Sequence, residues 1–221
     1  MLYVVATPIG NLEDISLRAL KVLKEVDFVI AEDTRKTGNL LKHFNLPKKP
    51  FLSLHKFNER RQIKKIISLL KEGKNMALVS NAGTPAISDP GQRLIEEVHK
   101  ENLEITSVPG ACAVINALVL SGFSTEKFLF LGFLPKKKKK RIKELEEARK
   151  IEATIIIFES PLRIKRLLEE LIEVFGARIK VAIVREMTKI FEEVKISSAE
   201  DLLKTLKSIK GEVVVVVENK K

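Results

Sequence analysis

The chain has 221 residues, is 45% hydrophobic and carries a formal net charge of +11, with one cysteine and no tryptophan. That length suits one large domain or two small ones, and lone Cys112 excludes an internal disulfide and fits a reducing compartment. The longest apolar run, "ACAVINALVL", is about half of the roughly 20 residues a membrane span needs, and the opening "MLYVVATPIG" has no basic leader, so a cytoplasmic protein without a signal peptide is expected.

In chain order, "LYVVAT" predicts a strand. "SLRALKVLKEV" comes next at helical spacing, with Ser16 as N-cap. "FVIAED" is a strand and "TRKTGNLLKHF" a helix capped by Thr34. "FLSL" and "NERRQIKKIISLLKEG" repeat the pair, as do "MALVS" and "PGQRLIEEVHKE". "LEITSVPG" ends a strand. "ACAVINALVLSG" is apolar on nearly every side and reads as a buried helix, and "KFLFLGF" is a strand. Alternating β and α predicts a mostly parallel sheet with helices on both faces. The second part restarts with "ATIIIFES", "PLRIKRLLEELIEVFG", "IKVAIVRE", "KIFEEVKI", "SAEDLLKTLKSIK" and "EVVVVVEN". Two of those strands are consecutive, which predicts a mixed sheet, and Ser198 with Asp201 resembles a capping box.

Residues 136–150, "KKKKKRIKELEEARK", hold nine cations against three acids, more than half of the net charge. Six adjacent cations repel one another. They are either a solvated helix start or a phosphate-binding segment. The run comes after a strand end and a proline, so the expected boundary separates residues 1–134 from 135–221, with a polybasic linker at 135–143.

In open α/β sheets, ligands sit at the carboxyl ends of the strands. Those ends read "ATPIGNLED", "AEDTRKTG", "SNAGTPAISDPG" and "VPGACA", all rich in glycine, proline or small polar residues, so a pocket is expected there. There is no G-x-G, hence neither a dinucleotide fingerprint nor a P-loop. His43, His55 and His99 have no metal-ligand spacing and read as surface or packing residues, so no metal is expected. No nucleophile elbow is present.

"LYVVATPIGNLEDIS", "AEDTRKTG", "LVSNAGTPAISDPG", "VPGACA", "FLGFLPKKKKKR", "FESPLR", "VREMTK" and "KGEVVVVVE" occur in this order along essentially the whole chain. Together they closely resemble the ribosomal RNA small subunit methyltransferase I family, of the tetrapyrrole methylase fold group. The resemblance implies two α/β domains with a mostly parallel N-terminal sheet and a mixed C-terminal sheet. It implies 2′-O-methylation of a cytidine in 16S rRNA, S-adenosylmethionine as cofactor, the rRNA or small ribosomal subunit as partner, and a homodimer. It points to Pro8, Gly83, Thr84, Pro85, Ser88, Cys112 and Ala113 as cofactor contacts, with Ser160 and Met187 from the second domain. Asn81 stands where the family usually has Asp, Leu162 where it usually has His, and Met187 replaces a common Leu.

Methyl transfer from a sulfonium needs positioning more than acid–base chemistry, but the 2′-hydroxyl proton must leave. Glu32, Asp33, Glu159 and Glu186 are candidate acceptors, with Asp33 favoured; Arg35 and Arg185 either pair with these acids or grip phosphate. Lys136, Lys137, Lys138, Lys139, Lys140 and Arg141, with Arg35, are the expected RNA contacts. Two other functions compete: methylation of a tetrapyrrole precursor, which needs no polybasic arm, and a non-enzymatic RNA-binding protein, which lacks aromatic–basic interleaving.

Overall fold

The computed structural model describes residues 1–206 and 209–220. The chain forms two compact units, Met1–Cys112 and one that begins at Ala113.

The first unit is a five-stranded sheet of β1 (Leu2–Val5), β2 (Phe28–Ala31), β3 (Phe51–Ser53), β4 (Met76–Val79) and β5 (Ile105–Val108), in the order β3-β2-β4-β1-β5. Every pair is parallel. Side chains alternate between two separate cores. Leu2, Ile30, Met76 and Leu78 meet Ile66, Leu70, Leu94 and Val98 of α3 (Glu59–Lys71) and α4 (Gln92–Lys100). Val5, Val29, Ala77 and Val79 meet Ala19, Leu23 and Leu41 of α1 (Leu17–Glu25) and α2 (Thr34–His43). Period-2 burial on both faces is what makes the strands read as continuous apolar runs. Ser16 caps α1, accepting from the Ala19 amide at 3.1 Å. The cap of α2 is Asp33 rather than Thr34, which is the first helical residue.

The second unit contains α5 (Ala113–Ser121), β6 (Phe128–Phe133), α6 (Lys138–Arg149), β7 (Thr154–Glu159), α7 (Ile164–Phe175), β8 (Lys180–Arg185), β9 (Glu193–Ser198), α8 (Ala199–Thr205) and β10 (Val213–Val217). Its sheet runs β6-β7-β10-β8-β9 and is mixed, as expected, with only β6 and β7 parallel. Ser198 caps α8, accepting from the Asp201 amide and donating to its carboxylate at 2.6 Å. The sequence pattern places a helix through residue 210, but α8 ends at Thr205 and Leu206 is extended; Lys207 and Ser208 lie outside the described residues.

The expected boundary at 134/135 falls inside this unit. β6 pairs with β7, and α5 packs on β7, β8, β9 and β10. The physical reason is that β10 is buried on both faces. Helices α6, α7 and α8 contribute to the core on one face, and α5 is needed to cover the other. The strand expected at Lys189 begins only at Glu193, because a turn occupies the residues between.

The basic run is not uniform. Lys136 to Lys140 are exposed, but Arg141 is buried, 2% accessible. Its guanidinium forks onto the Glu170 carboxylate, with Nε donating to Oε2 at 2.7 Å and Nη2 to Oε1. Nη1 donates to the Pro135 and Lys136 carbonyls at 3.2 and 2.9 Å. A buried pair of this kind, once broken, leaves an uncompensated charge at about 3–5 kcal/mol. Arg141 is therefore a structural anchor, and the expectation that it contacts RNA is corrected.

Candidate active site

The parallel sheet brings the carboxyl ends of β1, β4 and β5 to one edge, where the loops that leave them are stitched together. Thr7 and Gly83 form an antiparallel bridge, with N–H···O distances of 3.0 and 2.9 Å. The Thr7 hydroxyl donates to the Ser80 carbonyl at 3.3 Å, and the Ser80 hydroxyl to the Gly83 carbonyl at 3.0 Å. Thr84 Oγ1 donates to the Ala111 carbonyl at 3.2 Å. A Cβ on Gly110 would lie 3.1 Å from that of Ala6, so only glycine allows this approach without displacement.

The length of the connection at 80–91 is explained by its backbone. Gly83, Ala86, Ser88 and Gly91 all have positive φ, at 82°, 69°, 62° and 126°. Non-glycine residues seldom adopt that region, and such outliers concentrate at functional sites. The loop turns back on Thr7 before it can enter α4, which uses residues a direct link would not need. A Cβ at Gly83 would sit 3.2 Å from Ile9 Cγ2 and 3.6 Å from the Ala111 carbonyl, so the backbone there is packed tightly against its neighbours.

Beside the bridge lies a cleft of about 370 Å³, walled by Thr7, Pro8, Ser80 and Asn81 and by α2 through Lys36, Asn39, Leu40 and His43. Those helical positions fall on one face. His43, expected as a surface or packing residue, lines this cleft. Two carboxyl groups belong to the same loops. Glu32 accepts from the Asn81 side-chain amide at 2.7 Å. Asp89 is half-buried, and burial and the charge of Glu32 push its pKa from the ordinary 3.8 up to about 6. The Ser80 hydroxyl beside it acts in the opposite direction, though the Ala82 and Gly83 carbonyls compete for that proton.

The sequence profile described as Tetrapyrrole (Corrin/Porphyrin) Methylases matches residues 1–203. Ribosomal RNA small subunit methyltransferase I of Thermotoga maritima is 47% identical over 222 residues, 99% of this chain and 98% of that one. The protein of the same name from Halalkalibacterium halodurans is 46% identical over 98% of this chain and 75% of its own. This chain belongs to the ribosomal RNA small subunit methyltransferase I family, within the tetrapyrrole methylases. Solved structures of similar fold include a diphthine synthase, with TM-score 0.76 at 19% identity over 98% of this chain and 88% of that one. Another is a uroporphyrin-III C-methyltransferase from Thermus thermophilus complexed with S-adenyl homocysteine. Its TM-score is 0.69 at 14% identity, over 98% of this chain and 96% of that one.

Of the residues to which the family resemblance pointed, Pro8, Gly83, Thr84, Pro85 and Ser88 gather at the stitched edge of the first unit, and Cys112 ends that unit with a free thiol. Ala113 opens α5 in the second unit. Ser160 comes directly after β7, and Met187 comes two residues after β8. Glu159 and Arg185 both register with Val213, so Ser160 and Met187 leave strand ends at one edge of the second sheet.

The acids and arginines have partners. Asp33 caps α2, and hydrogen bonds from Arg35 hold its carboxyl below the ordinary value, which weakens it as a base. Glu159 is buried, pairs with Arg163 at 2.6 Å and accepts from the Ser160 amide at 2.7 Å. Arg185 pairs with Glu193 at 3.4 Å. Glu186 accepts from the Glu212 amide and from Lys189, and its pKa is lowered for those reasons in that order. Sequence reasoning missed Asp89. The signal was available, because it is the sole acid in a loop otherwise made of small and apolar residues. Among the described residues, no group of three or more His, Cys, Asp or Glu could hold a metal.

The raised pKa of Asp89 has a consequence for folding. Its contribution to stability is fully present below the unfolded value of 3.8 and is lost as pH rises through about 6. Asp89→Asn removes that loss. We expect the variant to have a higher urea midpoint than the parent at pH 8 and a flatter pH profile between 4 and about 6.5. Identical midpoints at every pH would show that Asp89 is not perturbed.

Proposed function

We propose that this protein methylates the ribose 2′-hydroxyl of a cytidine in 16S rRNA of the small ribosomal subunit, using S-adenosylmethionine. The observation that carries the proposal is 47% identity with ribosomal RNA small subunit methyltransferase I of Thermotoga maritima across almost the full length of both chains. The cofactor fits what the first unit offers. The left-handed backbone at Gly83, Ala86 and Ser88 and the small side chains of the stitched loops allow close main-chain approach. The Glu32 and Asp89 carboxylates supply negative potential suited to a cation. Pro8, Gly83, Thr84, Pro85, Ser88 and Cys112 of the first unit would hold it.

Bound there, S-adenosylmethionine supplies a methyl group already activated on a sulfonium. The protein's own task is to orient the hydroxyl and to accept its proton. We assign the proton to Asp89. A carboxyl of pKa about 6 is ionised at neutral pH yet more basic than an ordinary aspartate. Glu32 beside it maintains that basicity. Asp33 is engaged in its helix cap and is the weaker candidate.

Methyl transfer to small-subunit rRNA, measured with labelled cofactor, tests this reading. The rate should rise about tenfold per pH unit below about 6 and then level. Asp89→Asn should lower it by about 10²–10⁴ while S-adenosylhomocysteine still binds by calorimetry. Transfer to a porphyrinogen instead of rRNA would overturn the substrate, and an unchanged rate in Asp89→Asn would overturn the base.

Lys136, Lys137, Lys139 and Lys140 are exposed and, among the described residues, make no ion pair, whereas Lys138 pairs with Glu173 at 2.9 Å. They are suited to phosphate. Changing these four to Gln should flatten the slope of log affinity against log salt by roughly 0.7–0.9 per lost contact, about 1.5–3.5 in all. An unchanged slope would make the run a solubility patch.

We also propose a homodimer. The apolar helix α5 leaves Ile115, Val119 and Leu120 exposed, which supports a second copy as their cover. Sedimentation should show a dimer for the parent and a monomer for Val119→Glu; a monomeric parent would end this reading.

A further inference from the structure

The segment after β3 holds a feature that the methyl-transfer site does not use. Phe57 is 94% accessible, yet it stands in a well-defined loop. Asn58 Oδ1 accepts from the His55 amide at 2.8 Å, and its Nδ2 donates to the Ser53 carbonyl at 3.0 Å. The Phe57 amide donates to His55 Nδ1 at 3.3 Å, and the two rings meet edge to face with centroids 6.2 Å apart. These contacts fix the chain on either side of the phenyl ring and leave the ring itself in water. A held but uncovered phenyl offers its face to a planar ring.

The surroundings define the partner's charge. Phe57 shares a cleft of about 470 Å³ with Lys56, Arg60, Arg61 and Arg93. Among the described residues Glu59 is the only acid lining it, and it is paired with Arg93 at 3.8 Å. Four cations against one acid favour a polyanion. One helix N-terminus adds to this field, since α3 begins at Glu59 and Asn58 makes no side-chain cap bond. Uncapped N-terminal amides attract phosphate oxygens. Aromatic–basic interleaving is not evident along the linear chain, but "KFNERR" provides it once the fold gathers Arg93 beside it.

We propose that this cleft is a single-stranded RNA subsite, in which one unpaired base stacks on Phe57 while Arg60, Arg61 and Arg93 hold the adjoining phosphates. Stacking on an aromatic side chain tolerates any base, and arginine forks match phosphate geometry. The site would grip substrate away from the target nucleotide, so binding energy there positions the reacting ribose without touching it. This rests on the reading that RNA is the substrate.

The test uses a fluorescein-labelled single-stranded RNA 12-mer and a duplex of the same sequence, with affinity measured by anisotropy across a salt series. Phe57→Ala should weaken single-strand binding roughly 5- to 150-fold, the span of one base stack, with an unchanged salt slope. Phe57→Tyr should retain affinity. Arg60→Gln with Arg61→Gln should flatten the slope by about 1.4, two contacts on a single strand. All variants should bind S-adenosylhomocysteine like the parent. If the parent binds RNA and Phe57→Ala binds it equally well, the subsite is wrong while the proposed function stands. If the parent binds the cofactor product but no RNA, both fall. If Phe57→Ala instead changes only the sedimentation of the protein, the ring covers a protein interface and the RNA proposal is overturned.

Discussion

Every strand of the first sheet runs the same way, and that single constraint sets where the loops of the site can form. Parallel strands require a crossover on a face of the sheet, so each helix starts beyond the same edge. All five carboxyl ends therefore open on that edge. Three of the loops there are bonded to one another through Thr7, Gly83 and Thr84, which turns a row of connections into one rigid surface. The fixed backbone costs conformational strain at Ala86 and Ser88, and the hydrogen bonds from Ser80 and Thr84 hold it.

The same edge decides where charge can sit. Glu32 leaves β2 and Asp89 lies in the loop after β4, a strand that β2 pairs with directly. Neighbouring strand ends bring carboxyl groups together whatever the sequence distance between them. Glu32 satisfies itself on Asn81, a residue that carries no charge to compete. An aspartate at that position would have placed a third acid in the cluster and raised the repulsion further.

Much of this is legible in the order of residues alone. Continuous apolar strands at regular spacing point to the parallel first sheet, and consecutive strands to the mixed second one. Ser16 and the Ser198–Asp201 pair are readable because a helix cap is a local interaction. What escapes such reading is non-local. The boundary depends on which sheet α5 and β6 join, and that is settled by the need to cover the second face of β10. Asp89 looks like an ordinary loop acid because its perturbation comes from burial in the folded loop and, after that, from Glu32, 57 positions earlier. Arg141 looks like one more cation in a row, because its partner Glu170 lies on another helix. Motif resemblance reaches the family without any of these distances.

Arg141 alters what the five lysines before it can be. A row of like charges in water stretches and fluctuates, and an anion that binds it must first still that motion. Here the row is riveted at its end, since the Arg141 guanidinium clasps the carbonyls of Pro135 and Lys136 as well as Glu170. Lys138, Lys139 and Lys140 stand on the opening turn of α6. The ammonium groups are mounted on a stiff comb rather than strung on a tether, and a polyanion that docks on them has less disorder to remove.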